Sequence, residues 1–226
     1  MNTAINNSIH ITSDDIADYD SRYRAKLINS LSGFKSANLI GTIDEDLVTN
    51  LAIVSSVFHL GANPPLMGMI IRPDTVPRDT LANIRSNGSY TINHVNSAIY
   101  QQAHQTSARY DASVSEFDET QLTPQFTPNV KAPYVAQSHL KFALEVRDIQ
   151  WLAVNGTVMV IGEIMEIITP SDSIKADGYI DIEALDSVAI SGLDGYHQTT
   201  RLNRLSYAKV ATTPSALSIE GANLVE

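Results

Sequence analysis

The spacing of hydrophobic and polar positions predicts a chain that opens with helices and continues as strands. Ile16, Tyr19, Tyr23 and Leu27 recur at helical spacing after the acidic start Ser13-Asp14-Asp15. A serine followed by acids in the first turn is typical of a helix N-terminus. The pattern therefore predicts one or two helices before residue 34.

From residue 35 onward the hydrophobic runs shorten and are separated by turn residues, which indicates strands. Strands are predicted over 37–43, 49–56, 66–71 and 90–95, and a short helix over 80–86. The stretch 57–65, which closes on a double proline, is predicted to be a polar loop between two strands.

The second half of the chain predicts a long hairpin. Phe142, Leu144 and Val146 alternate with less hydrophobic neighbours, Asn155-Gly156 is a strong hairpin turn, and residues 157–168 read as the returning strand. Residues 97–106 are predicted to be helical, residues 123–133 to form an exposed loop or lid, and residues 211–226 to be a flexible tail or an arm that packs on a partner.

Composition limits the chemistry. The chain has 226 residues and no cysteine, so disulfides, thiolate metal sites and cysteine nucleophiles are excluded and any redox chemistry must come from a cofactor. None of the six histidines lies within five residues of another, so no metal is expected. No Gly-x-Gly-x-x-Gly sequence occurs, which argues against a Rossmann nucleotide site.

The net charge of −10 argues against nucleic acid and membranes as partners. The absence of an apolar run of about 18 residues and of a leader-like N-terminus predicts a cytoplasmic protein. Two local groups of cations favour a small anionic ligand instead: Arg72, Arg78 and Arg85, and Arg201, Arg204 and Lys209. The alternative is that these side chains pair with surface carboxylates.

One of these groups coincides with a predicted helix start. Arg78 offers a positive charge, Thr80 a hydroxyl, and the first turn of the helix its free N–H groups, which together suit a phosphate. Asp79 is assigned to capping of the helix, and Asn83 lies one turn further on. The alternative is that Asp79 and Thr80 only cap a helix while Arg78 and Asn83 face water.

At these residues the chain resembles the flavin reductase-like family, the FMN-binding split barrels. The resemblance is firm over about residues 35–95 and looser over 138–170. It rests on an ordered set of short sequences at compatible spacing: Gly41-Thr42-Ile43-Asp44, Thr49-Asn50-Leu51-Ala52, Ser55-Ser56, Pro64-Pro65, Arg78-Asp79-Thr80 and Asn83-Ile84.

The resemblance implies a six-stranded antiparallel split barrel of Greek-key type, mainly β with short helices, that forms a homodimer. It divides the chain into a helical extension (1–34), an FMN-binding split-barrel domain (35–195) and a C-terminal segment (196–226) that packs on a dimer partner in one interpretation. It implies FMN as cofactor and NADH or NADPH as electron donor, with hydride transfer to N5 of the flavin.

The residues expected to bind FMN come from two places: the cation-bearing start of the helix predicted over 80–86 and the strand predicted over 49–56 with the residues that follow it. They are Thr49, Asn50, Ser55, Ser56, Val57, Phe58, Arg72, Arg78, Asp79, Thr80 and Asn83. His59 is the candidate catalytic residue, since a histidine beside the ring could relay a proton near neutral pH. The alternatives are that Ser55-Ser56 only ends a strand and that His59 is structural.

Three functions remain open from the sequence. The first is an FMN-dependent oxidoreductase of the flavin reductase type. The second is an FMN-binding electron carrier, similar to flavoredoxin, that does not itself oxidise NAD(P)H. The third is a split-barrel module that binds another ligand without catalysis. The role of residues 97–136 and the final electron acceptor stay undetermined.

Overall fold

In a computed structural model of the protein, residues 8–73 and 75–224 are described. The structure is mainly β with short helices, as the sequence predicts. Within the two described ranges, no helix has both the length and the apolar character that a membrane span requires.

The strands, in chain order, are β1 (Lys35–Ser36), β2 (Asn38–Ile43), β3 (Thr49–Val54), β4 (Val57–Ala62), β5 (Pro65–Ile71), β6 (Ser89–His94), β7 (Pro124–Thr127), β8 (Val130–Val135), β9 (Lys141–Leu152), β10 (Thr157–Ile168), β11 (Ala189–Ser191), β12 (Gly195–His197), β13 (Arg204–Leu205) and β14 (Ala216–Leu217). The α-helices are α1 (Ser13–Asp18), α2 (Ser21–Ser30), α3 (Asp79–Asn87), α4 (Tyr100–Gln105) and α5 (Glu116–Thr120), and a 3-10 helix covers Ser171–Ser173.

The main sheet contains seven antiparallel strands in the order β3-β2-β6-β9-β10-β5-β4. Its centre is the hairpin of β9 and β10, which turns at Asn155-Gly156, where Gly156 has a φ of +73° that suits glycine. The sequence predicts six strands. The seventh is β4, because the stretch predicted to be a polar loop pairs along β5.

The sheet separates two hydrophobic layers. Alternation along β2 sends Leu39 into one layer and Ile40 into the other, and both are fully buried. The layer that contains Ile40, called the inner layer below, is formed by side chains of β5, β6, β9 and β10 together with Leu81 and Ile84 of α3. The other layer is covered by α4, α5 and β11. Helix α3 is thus fixed to the sheet by its apolar face.

The prediction of an exposed loop or lid over residues 123–133 is wrong, because this stretch forms the hairpin of β7 and β8. The side chains of Val130, Ala132 and Tyr134 are buried. Strand β8 crosses β2 and β6 so closely that a Cβ at Gly41 would clash with the carbonyl oxygen of Pro133. Prolines at both ends of the hairpin obscured the strand pattern in the sequence.

The described segments near the two termini lie outside this core. Helices α1 and α2 contain no buried residue. After β10 the chain runs largely without regular structure, and its last part is held by ion pairs to residues 177–183. Arg204 pairs with Asp177 and lies 4.2 Å from the ring centroid of Tyr179, while Arg201 pairs with Asp181 and Glu183.

Candidate functional site

The N-terminal end of α3 is a fixed point of the fold. Leu81 and Ile84 anchor the helix in the inner layer, and Gly88 ends it in the left-handed conformation at φ +68°. Arg78, not Asp79, occupies the N-cap position, and its side chain makes no cap hydrogen bond. The capping role expected for Asp79 is therefore wrong, since Asp79 is the first residue inside the helix.

Polar side chains converge beneath this helix end. The amide Nδ2 of Asn50 donates to the hydroxyls of Thr42 at 3.1 Å and Thr80 at 3.0 Å. The amide Nδ2 of Asn83 donates to the same Thr42 hydroxyl at 3.2 Å. Three predicted site residues are thus brought together, and Asn83 faces this group rather than water. We call Thr42, Asn50, Thr80 and Asn83 the polar group below α3.

Thr42 was not singled out by sequence reasoning as a site residue. It lies inside one of the short sequences that carry the family resemblance, and it is fully buried on β2 directly opposite Asn50. The cross-strand register could not be read from the sequence with enough certainty to place the two side chains side by side.

The free edge of β3 is partly covered by the start of α5. The carboxylate of Glu116 accepts a hydrogen bond from the backbone N–H of Leu51 at 2.9 Å, and the hydroxyls of Thr49 and Ser115 lie 2.7 Å apart. Thr49 therefore contacts α5 and not the polar group below α3. Glu116 lies 65 residues after Leu51, in a part of the sequence that has no clear hydrophobic pattern. This contact therefore could not be predicted.

The next outward-facing N–H on that edge belongs to Ile53. In an antiparallel pair, N–H groups alternate between the partner strand and the outside, so Ile53 points its N–H outward as Leu51 does. The outward-facing edge of β3 therefore runs from the Glu116 contact to the bend at Ser55.

The bend itself is held by backbone and hydroxyl bonds. Ser56 donates its hydroxyl to the carbonyl of Ile70 at 2.6 Å, and the N–H of Ile70 donates to the carbonyl of Ser56 at 3.2 Å. Val57 packs against the inner layer, and the ring of Phe58 lies over Gly68, whose missing side chain leaves the space. Ser55 is half-buried and lies at the bend.

The two parts of the predicted site thus lie at opposite ends of one strand. From Asn50 to Ser55 the chain advances five residues, which in a strand is roughly 17 Å. A long, narrow ligand with an anionic end and a flat polar end suits this separation better than a small anion does.

Two other predicted residues lie apart from these two groups. Arg72 is exposed just after the end of β5, and His59 is exposed on β4. Arg78 makes a long contact of 3.5 Å from Nε to the carbonyl of Pro73 and borders a shallow cavity of about 190 Å³ outside α3. This volume is below that of typical cofactor pockets. A ligand of FMN size would therefore lie against the surface of a single chain rather than inside this cavity.

The C-terminal cations do not reach this region, because Arg201 and Arg204 are both paired with acids of residues 177–183. For these two arginines the interpretation as ordinary ion pairs is the correct one. His94, at the end of β6, is half-buried, and desolvation lowers its pKa to about 4. It is therefore a neutral imidazole at physiological pH.

One carboxylate beside the polar group lies where its charged form is disfavoured. Burial raises the pKa of Glu116, and the negative charge of Asp79 raises it further, while the hydrogen bond from Leu51 acts in the opposite direction. The protein thus holds an acid of α5 against β3 in a place that disfavours its charged form.

The comparisons with known proteins identify the family and the fold. The family model described as the flavin reductase like domain matches residues 31–183. A crystal structure of a candidate flavin reductase with split barrel domain from Shewanella frigidimarina is 56% identical, covers 89% of this chain and all of its own, and has a TM-score of 0.86.

Two more distant structures share the fold. Nitrilotriacetate monooxygenase component B from Bacillus cereus is 18% identical with a TM-score of 0.77, and the match covers 88% of this chain and 100% of that one. Flavoredoxin from Desulfovibrio vulgaris is 23% identical with a TM-score of 0.66, and the match covers 80% and 92%.

Proposed function

Because the chain belongs to the flavin reductase-like domain family, we propose that it is an FMN-dependent oxidoreductase of the flavin reductase type. NADH or NADPH is the proposed electron donor. The observation that carries the proposal is the hydrogen bond between Asn50 and Thr80, which ties the start of β3 to the first turn of α3.

The residues fit FMN at both ends. Thr80 presents a hydroxyl and α3 its first-turn N–H groups to the phosphate, with Arg78 as the nearby cation. At the other end, the backbone of residues 53–57 presents polar groups to the carbonyls of the ring, and Val57 and Phe58 supply apolar contact. Bound FMN supplies the hydride-accepting centre, and the chain supplies binding and orientation.

A homodimer completes this picture. The proposed FMN groove runs along the edge of β3 from Thr80 to the bend at Ser55, where a single chain would leave the flavin exposed, and the cavity beside Arg78 is small. We expect a second copy to cover the groove, so that sedimentation velocity gives about twice the monomer mass of 24.6 kDa. A monomer that retains tight FMN binding would contradict this part of the proposal.

The alternative is an electron carrier that holds FMN without oxidising NAD(P)H. The likeness to flavoredoxin favours no choice between them, because at 23% identity it shows the fold alone. A carrier and a reductase need the same flavin groove and differ in whether a nicotinamide ring can reach it.

Spectroscopy followed by turnover separates these functions. The purified protein is titrated with FMN, or mixed with FMN and then freed of excess flavin. Binding should appear as a perturbed flavin absorption band. Anaerobic addition of NADH and NADPH in turn should bleach that band for at least one donor. Binding without bleaching by either donor would favour the carrier, and no binding of FMN would overturn both functions.

A further inference from the structure

We propose that Glu116 places a negative charge against the phosphate of bound FMN and thereby lowers the affinity for FMN relative to phosphate-free flavins. The inference rests on the proposed function, since it concerns the same groove. It assigns to α5 a part in deciding how readily FMN is released.

The position of Glu116 is fixed by two contacts. Its Oε2 lies 2.9 Å from the backbone nitrogen of Leu51, and the neighbouring pair of Ser115 and Thr49 holds the start of α5 on β3 at 2.7 Å. Helix α5 is further anchored by Phe117, which is fully buried in the layer beneath it. Glu116 is therefore held in place rather than free to swing into solvent.

This position adjoins the predicted phosphate site. Leu51 directly follows Asn50, whose amide reaches the hydroxyl of Thr80 at 3.0 Å. Asp79, the neighbour of Thr80 in the first turn of α3, is close enough to raise the pKa of Glu116. A phosphate held at Thr80 would therefore lie within the field of the Glu116 carboxylate.

The charged groups around Glu116 do not neutralise it. The negative charge of Asp79 on α3 acts on it, its own helix carries the exposed acids Asp118 and Glu119, and the contacts described on β3 are those of Thr49 and the backbone of Leu51. The nearby cation that the described residues offer at this corner is Arg78, at the N-cap of α3.

A purely structural role would not need the charge. Leu51 requires only an acceptor for its N–H, and the neutral amide oxygen of a glutamine would serve equally well. Burial disfavours the ionised carboxylate, so the charge costs stability at this place. A costly negative charge beside a predicted anion site is explained if it weakens the binding of that anion.

The test compares two ligands and three variants. Dissociation constants for FMN and riboflavin are measured by quenching of flavin fluorescence for wild type, Glu116→Gln, Glu116→Asp and Glu119→Gln. Glu116→Gln keeps the acceptor for Leu51 and should bind FMN about three- to tenfold more tightly, the size expected for removing one partly screened like charge. Its affinity for riboflavin should stay at the wild-type value.

The other two variants are controls for charge and for position. Glu116→Asp retains the charge and should stay close to wild type for FMN. Glu119→Gln removes an equal charge from the exposed side of α5 and should change FMN affinity less than twofold. Unfolding curves of each variant verify that the fold is kept.

Distinct results overturn the inference and the proposed function. If Glu116→Gln and Glu119→Gln both bind FMN as wild type does, or if Glu116→Gln tightens FMN and riboflavin equally, the inference is wrong while the flavin site stands. If wild-type protein binds neither flavin, the proposed function itself fails. Should Glu116→Gln not fold, an FMN affinity of Glu116→Asp more than tenfold tighter than wild type would refute the charge argument.

Discussion

The hydroxyl of Thr42 accepts hydrogen bonds from the side chains of both Asn50 and Asn83. Such a buried polar group costs stability unless every member is paired, so it fixes the relative position of its members closely. At the residue scale, the polar group below α3 therefore has a structural task in the absence of ligand. It also orients the hydroxyl of Thr80 that we assign to phosphate.

His94 allows a test of burial at the level of one side chain. Desolvation lowers its pKa from 6.5 to about 4 in the folded protein. Between these two values the unfolded chain binds a proton that the folded protein does not, so stability falls as pH drops from about 6.5 to 4 and this contribution levels off below 4. For a half-buried ring the loss should be about 1–3 kcal/mol.

The measurement is urea unfolding at pH 7 and at pH 4.5. Wild type should lose more stability between the two than His94→Gln, which has no ring to titrate. His59→Gln, at an exposed position on β4, is the control and should retain the wild-type difference. Equal pH dependence in wild type and His94→Gln would show that the buried ring contributes nothing.

At the scale of elements, the contact between β10 and the hairpin of β7 and β8 depends on one carboxylate. Glu166 accepts hydrogen bonds from Thr127, from Asn129 at 2.9 Å and from Tyr134 at 2.6 Å. Three donors on one acid hold the hairpin against the sheet. The β7–β8 hairpin is also the element that sequence reasoning read as a loop or lid.

Replacing Glu166 with Gln should destabilise the protein by about 1–3 kcal/mol, because an amide oxygen cannot serve three donors and its NH₂ group opposes one of them. Amide hydrogen exchange over residues 124–135 should also become faster. Glu163→Gln on the same strand removes only a surface ion pair with Arg147 and should cost less than about 1 kcal/mol. Equal costs for the two variants would contradict the role of Glu166.

The elements that local patterns determine were predictable from sequence. Helix α3 was predicted over 80–86 and spans Asp79–Asn87, and the hairpin of β9 and β10 turns at the predicted Asn155-Gly156. Strand β4 was missed because Asn63-Pro64-Pro65 reads as a loop ending. In the structure, Asn63-Pro64 is the tight connection that lets β4 pair with β5.

Long-range contacts were not predictable. The neighbourhood of Asn50, Thr80 and Asn83 followed from the family resemblance, whereas the partners Thr42 and Glu116 depend on register and on packing across the sheet. Tertiary contacts of this kind leave no local signal in a single sequence. The ligand-binding roles of the predicted site residues remain predictions.

At the scale of the whole molecule, the net charge of −10 is unfavourable for any anion, so an FMN phosphate must be held by local groups. The arginines near the C-terminus are paired within the chain and cannot serve. The corner formed by β3 and α3, with Arg78 and Thr80, offers a local cation and a hydroxyl that would favour the phosphate despite the negative net charge. The negative charge of Glu116 on α5 acts against phosphate binding there.

The measurement that tests the central claim most directly is the affinity for FMN and riboflavin of wild type, Thr80→Val and Thr80→Ser. Thr80→Val keeps the shape but removes a hydroxyl from the phosphate, so FMN binding should weaken about 10- to 100-fold, the cost of one hydrogen bond to a charged group. Riboflavin binding should not change, and Thr80→Ser should restore FMN binding. Unchanged FMN affinity in Thr80→Val would show that the phosphate does not lie at the start of α3.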